Sequence, residues 1–195
     1  MNKIICTLCA LLVSQVIFCQ NYNAMWSEVE KAHNNDLPKT AIATLDKIIN
    51  TANRKGDNDQ LAKALIEKMY AAEVIAPDSA ESFLPKVEQF CYSRKKDDDR
   101  AVYQVLLGWL YACRDINADP QTQSKAIEAF RKATANPAAL ANARSDKYLT
   151  ILNKGDDSRY YNHDLLSVFF PFVASQLKAM KMAKADSLAR QVMAQ

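Results

Sequence analysis

The chain has 195 residues, and its 25 basic and 22 acidic side chains give a formal net charge of +3. It contains only three glycines, which disfavours β-hairpins and sheets, and its basic residues do not form the concentrated patch that nucleic acid or an anionic membrane selects. The one basic run, Arg94 to Lys96, is followed directly by Asp97 to Asp99, a pattern typical of a solvated turn before a helix.

Residues 1–20 have the pattern of a secretory signal peptide. Lys3 gives the positive start, the apolar run from Ile4 to Phe18 follows, and Gln20 begins the polar exit. The run is too short, and too interrupted by polar residues, to span a membrane. We therefore expect export to the periplasm, with residues 21–195 forming a single helical-repeat-like domain.

Cys19 offers a second interpretation of the same segment, because bacterial lipoproteins are acylated on a cysteine at the cleavage site. Phe18 is bulky at the position where lipoprotein processing requires a small residue. This mismatch favours a periplasmic protein, cleaved near Cys19 or Gln20, over an outer-membrane lipoprotein.

The first predicted elements of the mature chain are two helices joined by a short polar turn. The helix from Met25 to about Asn34 ends at Asn34-Asn35-Asp36, and Pro38 then occupies the first turn of the second helix, where its missing N–H is tolerated. Asp36 is placed where its carboxylate can stabilise the unpaired backbone N–H groups at the amino end of this second helix, and Gly56 is expected to end the helix. The second helix carries an apolar stripe at helical spacing, formed by Ala41, Ile42, Leu45, Ile48, Ile49 and Ala52.

Three further helices follow in the middle of the chain. One starts at Asp57 or Asn58 and ends at Pro77, and the next starts at Asp78-Ser79-Ala80-Glu81, which has the form of a capping box. The third is apolar almost all round from Leu106 to Ala112, so we expect it to be the most buried element. Its apolar positions are Val102, Val105, Leu106, Trp109 and Cys113.

The remaining elements are also predicted to be helical. Asp119-Pro120 and Asn136-Pro137 are two copies of one device, a capping side chain followed by a proline at the first helical position. A later helix is predicted from Leu165 to Leu177, interrupted at Pro171, and a last amphipathic helix from Ala183 to Met193.

The spacing Ala126-x-x-x-Phe130-x-x-Ala133-x-x-x-Pro137 resembles the second helix of a tetratricopeptide repeat, and Gly108 and Tyr111 fit the first helix. Small residues let two antiparallel helices approach closely, and an aromatic ring fills the groove between pairs. Together with the helical periodicity, this resemblance implies an all-α fold of stacked antiparallel helical hairpins. The expected architecture is a tetratricopeptide-like right-handed array of about eight or nine helices.

Two cysteines, Cys91 and Cys113, remain once the signal segment is discounted. An oxidising periplasm allows them to form a disulfide if their helices face one another. Both lie on apolar stripes, so two buried free thiols are the alternative. A zinc site would need more ligands at closer spacing than these two cysteines and two distant histidines supply.

No catalytic constellation is found in the sequence. His33 and His163 lie at predicted helix ends, where polar caps are the better interpretation than acid–base chemistry. The motifs of nucleophile turns, metal-binding helices and phosphate loops are absent, so no catalytic, cofactor-binding or metal-binding residue is predicted. The densest polar and aromatic cluster, Tyr160, Tyr161 and His163, is the candidate contact surface. Packing of the tyrosines against neighbouring helices is the alternative.

The stretch from Trp26 to Ala52, WSEVEKAHNNDLPKTAIATLDKIINTA, resembles the amino-terminal part of the alpha-2-macroglobulin-like proteins exported by Bacteroidetes-type bacteria. In that family a Trp-x-x-Val start, a DLPK-T-A element and an I-x-x-x-A helix end follow the signal peptide. QLAKAL at Gln60 to Leu65 continues the resemblance, and LNKGDDSRYYNHDLLSV at Leu152 to Val168 does so more loosely. The resemblance implies a helical amino-terminal region of such a protein.

The working parts of that family do not carry over to this chain. They are a bait segment, a string of β-sandwich domains and, in many members, a thioester within a C-x-E-Q motif. Cys91 is followed by Tyr92-Ser93-Arg94, and Cys113 by Arg114-Asp115-Ile116, so neither cysteine fits the motif. Protease trapping is therefore not expected of these residues.

Two functions follow from these observations. The first is an exported, non-catalytic helical interaction domain like the amino-terminal region of an alpha-2-macroglobulin-like protein, which would contact adjoining domains or a protein partner. The second is a stand-alone tetratricopeptide-like adaptor that binds a periplasmic protein. An enzyme would need a reactive Cys91 or Cys113, and the expected burial of both argues against it.

Overall fold

In a computed structural model of the chain, the described residues are 22–114, 120–152, 164–180 and 182–194. All regular structure in these ranges is helical, with nine α-helices, one short 3-10 helix and no strand. The all-α prediction is thus confirmed. The predicted signal segment, residues 1–20, lies outside the described ranges. None of the described helices combines the length and the apolar character that crossing a bilayer requires.

The chain divides into two compact units, one up to Leu84 and one from Pro85. The first contains α1 (residues 22–34), α2 (Pro38–Lys55), α3 (Asn58–Ile75) and the start of α4 (Ser79–Tyr92). The second contains the rest of α4 and, in chain order, α5 (Asp97–Arg114), α6 (Pro120–Ala133), α7 (Pro137–Ala141), a 3-10 helix (Ser145–Tyr148), α8 (Leu165–Ala179) and α9 (Ala183–Met193).

The core of the first unit is formed by the facing apolar sides of α1, α2 and α3. On α2 the predicted stripe is confirmed, because Ala41, Leu45, Ile48 and Ala52 have no exposed surface. Ala41, Leu45 and Ile48 share one buried cluster with side chains of the neighbouring helices, namely Met25, Val29, Ala32, Ala64 and Ala71. The amphipathic pattern of α2 therefore fixes which side of this helix faces the core.

Two left-handed residues make the turns between these helices. Asp36 has a φ of 52°, which aspartate tolerates better than most residues, and the following Leu37 N–H bonds the Ala32 carbonyl at 2.9 Å. Gly56 has a φ of 67° and ends α2 where the sequence predicts. The amino end of α2 has Leu37 as its cap and no side-chain hydrogen bond, so the capping contribution expected of Asp36 is not found.

A tryptophan attaches α1 to α3. The indole N–H of Trp26 donates to Gln60 Oε1 at 2.6 Å, and the ammonium of Lys63 lies 4.4 Å from the centroid of the Trp26 ring. Because Gln60 and Lys63 are three residues apart on one face of α3, both can reach the same ring.

In the second unit, α5 is the most enclosed helix, as the sequence predicts. It contacts α6, α7 and α8, and most of its side chains from Ala101 to Tyr111 are buried. The predicted stripe is only partly right, because Val102 and Val105 are buried whereas Cys113 is exposed. A helix that is apolar all round and contacted from several sides has no single stripe.

The helices α5 and α6 pack closely at Gly108. A Cβ atom placed on Gly108 would lie 2.7 Å from two carbons of the Phe130 ring, which has no exposed surface. Ala126 and Ala133, on the same helix as Phe130, are buried as well. A glycine opposite an aromatic ring therefore sets the separation of this helix pair.

Proline does not interrupt α8, although the sequence predicts a break at Pro171. The helix runs without a gap from Leu165 to Ala179. Pro171 and Ser167 are both exposed, so water can bond the Ser167 carbonyl that would otherwise accept the missing N–H. Phe169 and Phe170 are buried next to the proline, and packing of this kind holds a helix together across such a defect.

Candidate interaction surface

The predicted contact surface of Tyr160, Tyr161 and His163 lies outside the described residues. The neighbouring Asp164 is described, and its carboxylate accepts hydrogen bonds from the backbone N–H and the hydroxyl of Ser167, at 2.8 and 3.0 Å. Asp164 therefore caps the amino end of α8.

His33 is exposed at the carboxyl end of α1. Its backbone carbonyl accepts a hydrogen bond from the Asp36 N–H at 3.1 Å. Within the described ranges, histidine, cysteine, aspartate and glutamate side chains do not come together in a group that could hold a metal ion.

The two thiols have different surroundings. Cys91 is fully buried, and burial raises the pKa of its thiol to about 12. Cys113 is exposed, so the prediction that both cysteines are buried is wrong for this residue. Partial burial still raises the pKa of Cys113, against a smaller opposing effect of its hydrogen bond with Trp109. Both thiols are therefore protonated near neutral pH.

Both cysteines are free thiols in the structure, but the alternative of two buried free thiols describes only Cys91. The Tyr103 ring of α5 packs edge-on against Phe90 at a centroid distance of 5.0 Å, which places Cys91 beside this part of α5.

One surface of the second unit combines aromatic rings with charges from three helices. We call it the Tyr111 face and define it by Glu88 and Tyr92 on α4, Tyr111 on α5, and Lys125 and Lys132 on α6. The Tyr111 hydroxyl donates to Glu88 Oε1, and Lys125 Nζ lies 3.6 Å from that oxygen. Lys125 Nζ is also 5.6 Å from the Tyr111 ring centroid, and Lys132 Nζ is 5.1 Å from that of Tyr92. These contacts join α4, α5 and α6.

Helical spacing explains why these residues share a surface. Glu88 and Tyr92 are one turn apart on α4, and Lys125 and Lys132 are two turns apart on α6, so each pair projects on one side. Tyr111 between them is only 2% exposed, whereas Tyr92 is 52% exposed. The face therefore has a buried phenol as its floor and an open aromatic and cationic rim.

The charge of Glu88 is held in place by the phenol below it. Burial, followed by the hydrogen bond and the charge of Glu88, raises the pKa of Tyr111 far above its ordinary value of 10.0. The phenol consequently stays protonated and keeps donating to the carboxylate at any physiological pH. This donation fixes the position of Glu88, which in turn attracts Lys125.

A second polar group surrounds the amino end of α5. Lys147 Nζ lies 2.7 Å from Asp98 Oδ2 and 3.3 Å from Asp99 Oδ1, and the Tyr148 hydroxyl donates to Asp99 Oδ1 at 2.5 Å. The Asn136 amide donates to Asp97 at 2.9 Å. The negative charges of these acids stabilise the amino end of α5, as the sequence predicts. The same acids bind Asn136, which follows α6, and Lys147, which follows α7. The network is therefore part of the fold.

Acid should weaken this network, and the substitution Lys147→Met should reduce that sensitivity. Burial alone raises the pKa of Asp98, but hydrogen bonds from Lys147 and Tyr148 outweigh it and hold the pKa below its ordinary 3.8. A carboxyl whose pKa is lowered by folding stabilises the fold above the unfolded value, and this contribution is lost as the pH falls through the folded value. We expect the free energy of unfolding to fall below about pH 4, and to fall less in Lys147→Met.

Urea unfolding at a series of pH values, followed by circular dichroism, measures this difference. Lys184→Met is the matched control, because Lys184 is exposed on α9 and its substitution removes the same charge. An equal loss of stability with acid in all three proteins would contradict the assignment to Asp98.

Searches of protein-family models, curated proteins and solved structures find no match to this chain. The resemblances of Trp26 to Ala52 and of the segment around Phe130 are therefore without support from these comparisons. Any function has to be proposed from the chain's own residues.

Sequence reasoning did not identify the Tyr111 face, although part of its signal was present. The positions 88 and 92, and 125, 128 and 132, have the spacing of helix faces with mixed charge. The spacing on α4 and α6 does not show that α5 lies between them, because Tyr111 of α5 contacts Glu88 across 23 positions of sequence. A buried tyrosine between two charged faces becomes recognisable only when the helices are placed side by side.

Proposed function

We propose that this chain is an exported helical protein-interaction module without catalytic activity of its own. The observation that carries the proposal is the Tyr111 face, where the half-exposed ring of Tyr92 and two lysines surround a buried phenol. Tyrosine is enriched at protein interfaces because its ring contributes a large contact area at low cost in side-chain entropy, and a polar rim is typical of such surfaces.

We further propose that the helices stack as tetratricopeptide-like antiparallel hairpins. The packing of Gly108 on Phe130, with Ala126 and Ala133 buried beside it, supports this arrangement, because small residues and one large ring are what the repeat pattern requires. Stacked hairpins form an extended surface that suits a protein partner better than a small molecule. In this form the chain is a stand-alone periplasmic adaptor.

The resemblance of Trp26 to Ala52 supports a more specific form of the same proposal. In that form the chain is the amino-terminal helical region of an alpha-2-macroglobulin-like protein, and its surfaces contact adjoining domains. Protease trapping is not part of the proposal, because neither Cys91 nor Cys113 is followed by the thioester sequence. The two forms agree on a non-catalytic interaction role and differ in the partner.

The absence of catalysis is supported by the two thiols. The thiolate is the nucleophilic form of cysteine, and the pKa of Cys91 and that of Cys113 are both raised.

Reciprocal affinity capture from cross-linked cell envelopes tests the proposal. We expect the tagged chain to retain a distinct protein, and that protein, tagged in turn, to retain the chain in a complex of fixed stoichiometry by light scattering. A separate protein supports the adaptor form, whereas β-rich domains encoded in the adjoining reading frame support the alpha-2-macroglobulin-like form. A chain that behaves as a free monomer in the extract, with no reciprocal partner, would contradict both forms of the proposal.

A further inference from the structure

The two compact units carry opposite net charge. Residues 22–84 hold seven lysine and arginine residues against ten aspartate and glutamate residues, a net charge of −3. Residues 85–195 hold 17 basic against 12 acidic residues, a net charge of +5. A partner of the second unit is therefore selected by a positive field, which steers anionic groups toward it.

The Tyr111 face presents part of this positive charge at defined positions. The side chains of Lys125 and Lys132 are 49% and 42% exposed, and each ammonium lies over a tyrosine ring that restricts its motion. Their nearest carboxylates, on Glu88 and Glu128, are 3.6 and 3.7 Å away, which is longer than a charge-assisted hydrogen bond. These loose ion pairs leave donors directed at solvent, since an ammonium has three.

We propose that the Tyr111 face binds an acidic, extended segment of a protein partner, an inference that rests on the proposed interaction function. Lys125 and Lys132 would each bond one carboxylate of the segment, and the exposed Tyr92 ring would pack against the chain between them. The partner is thus recognised by two negative charges and an apolar spacer.

The spacing of the two lysines sets the spacing of the partner's carboxylates. Lys125 and Lys132 are seven positions apart on α6, which corresponds to about 10 Å at 1.5 Å per residue. A polyproline II segment advances about 3.1 Å per residue with three residues per turn, so side chains three positions apart point the same way at about 9 Å. Two acidic residues separated by two others, with prolines in the spacer, match the face.

A nucleic acid fits this surface less well. Each lysine has a glutamate beside it, Glu88 at 3.6 Å from Lys125 and Glu128 at 3.7 Å from Lys132. Glu128 is also paired with Arg131 at 2.7 Å. An uninterrupted row of phosphates would meet both carboxylates, whereas a segment with two separated charges avoids them. Arg131 is consequently not counted among the groups that bind the partner.

Fluorescence anisotropy with two synthetic peptides tests the inference. The probe is acetyl-Pro-Glu-Pro-Pro-Glu-Pro-amide carrying a fluorophore, and its control has both glutamates replaced by glutamine. We expect the glutamate peptide to bind the folded chain roughly tenfold more tightly than the glutamine peptide at low salt, with the difference shrinking at high salt. Equal binding of the two peptides would overturn the proposal.

Charge-reversal variants locate the site. Lys125→Glu with Lys132→Glu should weaken binding of the glutamate peptide about tenfold. Lys178→Glu with Lys184→Glu is the matched control, because these lysines are exposed elsewhere in the same unit and change the net charge equally. Similar losses in both double variants would mean attraction by net charge alone and would overturn the assigned face, as would tighter binding of a single-stranded oligonucleotide than of the peptide.

Tyr92→Ala should also weaken binding, with unchanged circular dichroism as the folding check.

The same double variant separates this inference from the proposed function. If reciprocal capture recovers a partner and the Lys125→Glu, Lys132→Glu chain recovers it equally, the interaction function stands and the Tyr111 face is overturned as its site. Loss of the captured partner in this variant, but not in the control, supports both. If no partner is captured while the glutamate peptide binds selectively, the peptide result supports the face and the capture result contradicts the function.

Discussion

Replacing Leu45 with aspartate is expected to unfold the three-helix packing of residues 22–84. Leu45 has no exposed surface and belongs to the buried cluster that α1, α2 and α3 share. The change removes a buried side chain and leaves a carboxylate without a partner in an apolar core, which together cost roughly 4 kcal/mol or more. That loss is comparable to the whole stability of a small helical unit, which is about 5 kcal/mol or somewhat more.

Far-ultraviolet circular dichroism and thermal unfolding measure the effect. Ala43→Asp is the matched control, because Ala43 is exposed on the same helix and introduces the same charge and helix propensity. We expect the control to lose less than about 1 kcal/mol and to keep its helical signal. Retained helicity and an unchanged melting temperature in Leu45→Asp would show that Leu45 does not face the core.

The apolar stripe around Leu45 illustrates what the sequence can determine. A helix that faces water on one side alternates in polarity, so the pattern of α2 gives both its limits and its orientation, from Pro38 to the stop at Gly56. The same logic is weaker for α5. That helix is enclosed on several sides, its polarity has no preferred direction, and Trp109 and Cys113 consequently lie further out than the pattern suggests.

Contacts between distant segments could not be predicted from the pattern. Lys147 reaches Asp98 and Asp99 across 49 and 48 positions of sequence, and nothing in the local composition of either segment specifies the other. The Tyr111 face depends on the same kind of information, because its side chains come from α4, α5 and α6 and meet only once these helices are packed together. Helix faces are local properties, whereas the choice of neighbouring helices depends on the packing of the entire unit.

Gly108→Ala should destabilise the second unit, although alanine is the better helix former. Helix propensity alone favours alanine over glycine by about 1 kcal/mol in a helix interior. The new Cβ would lie 2.7 Å from Cδ1 and Cε1 of Phe130, and that ring is fully buried, so it cannot move away without displacing its neighbours. Overpacking of this kind costs about 1–3 kcal/mol, which outweighs the gain in propensity. Urea unfolding monitored by circular dichroism gives the difference in unfolding free energy.

A double-mutant cycle with Phe130→Leu decides whether the steric contact is the cause. Leucine lacks Cε1 and Cζ, two of the three ring atoms that the new Cβ would meet, and its remaining Cδ atoms can rotate about a flexible side chain. Gly108→Ala should therefore be less destabilising in the Phe130→Leu background, with a coupling of about 1 kcal/mol or more. Additive effects would contradict the contact. Gly56→Ala separates sterics from backbone conformation, because Gly56 has a φ of 67° and nothing within 4 Å of an added Cβ. That change should cost about 1 kcal/mol in either background, since the strain of a left-handed alanine is independent of Phe130.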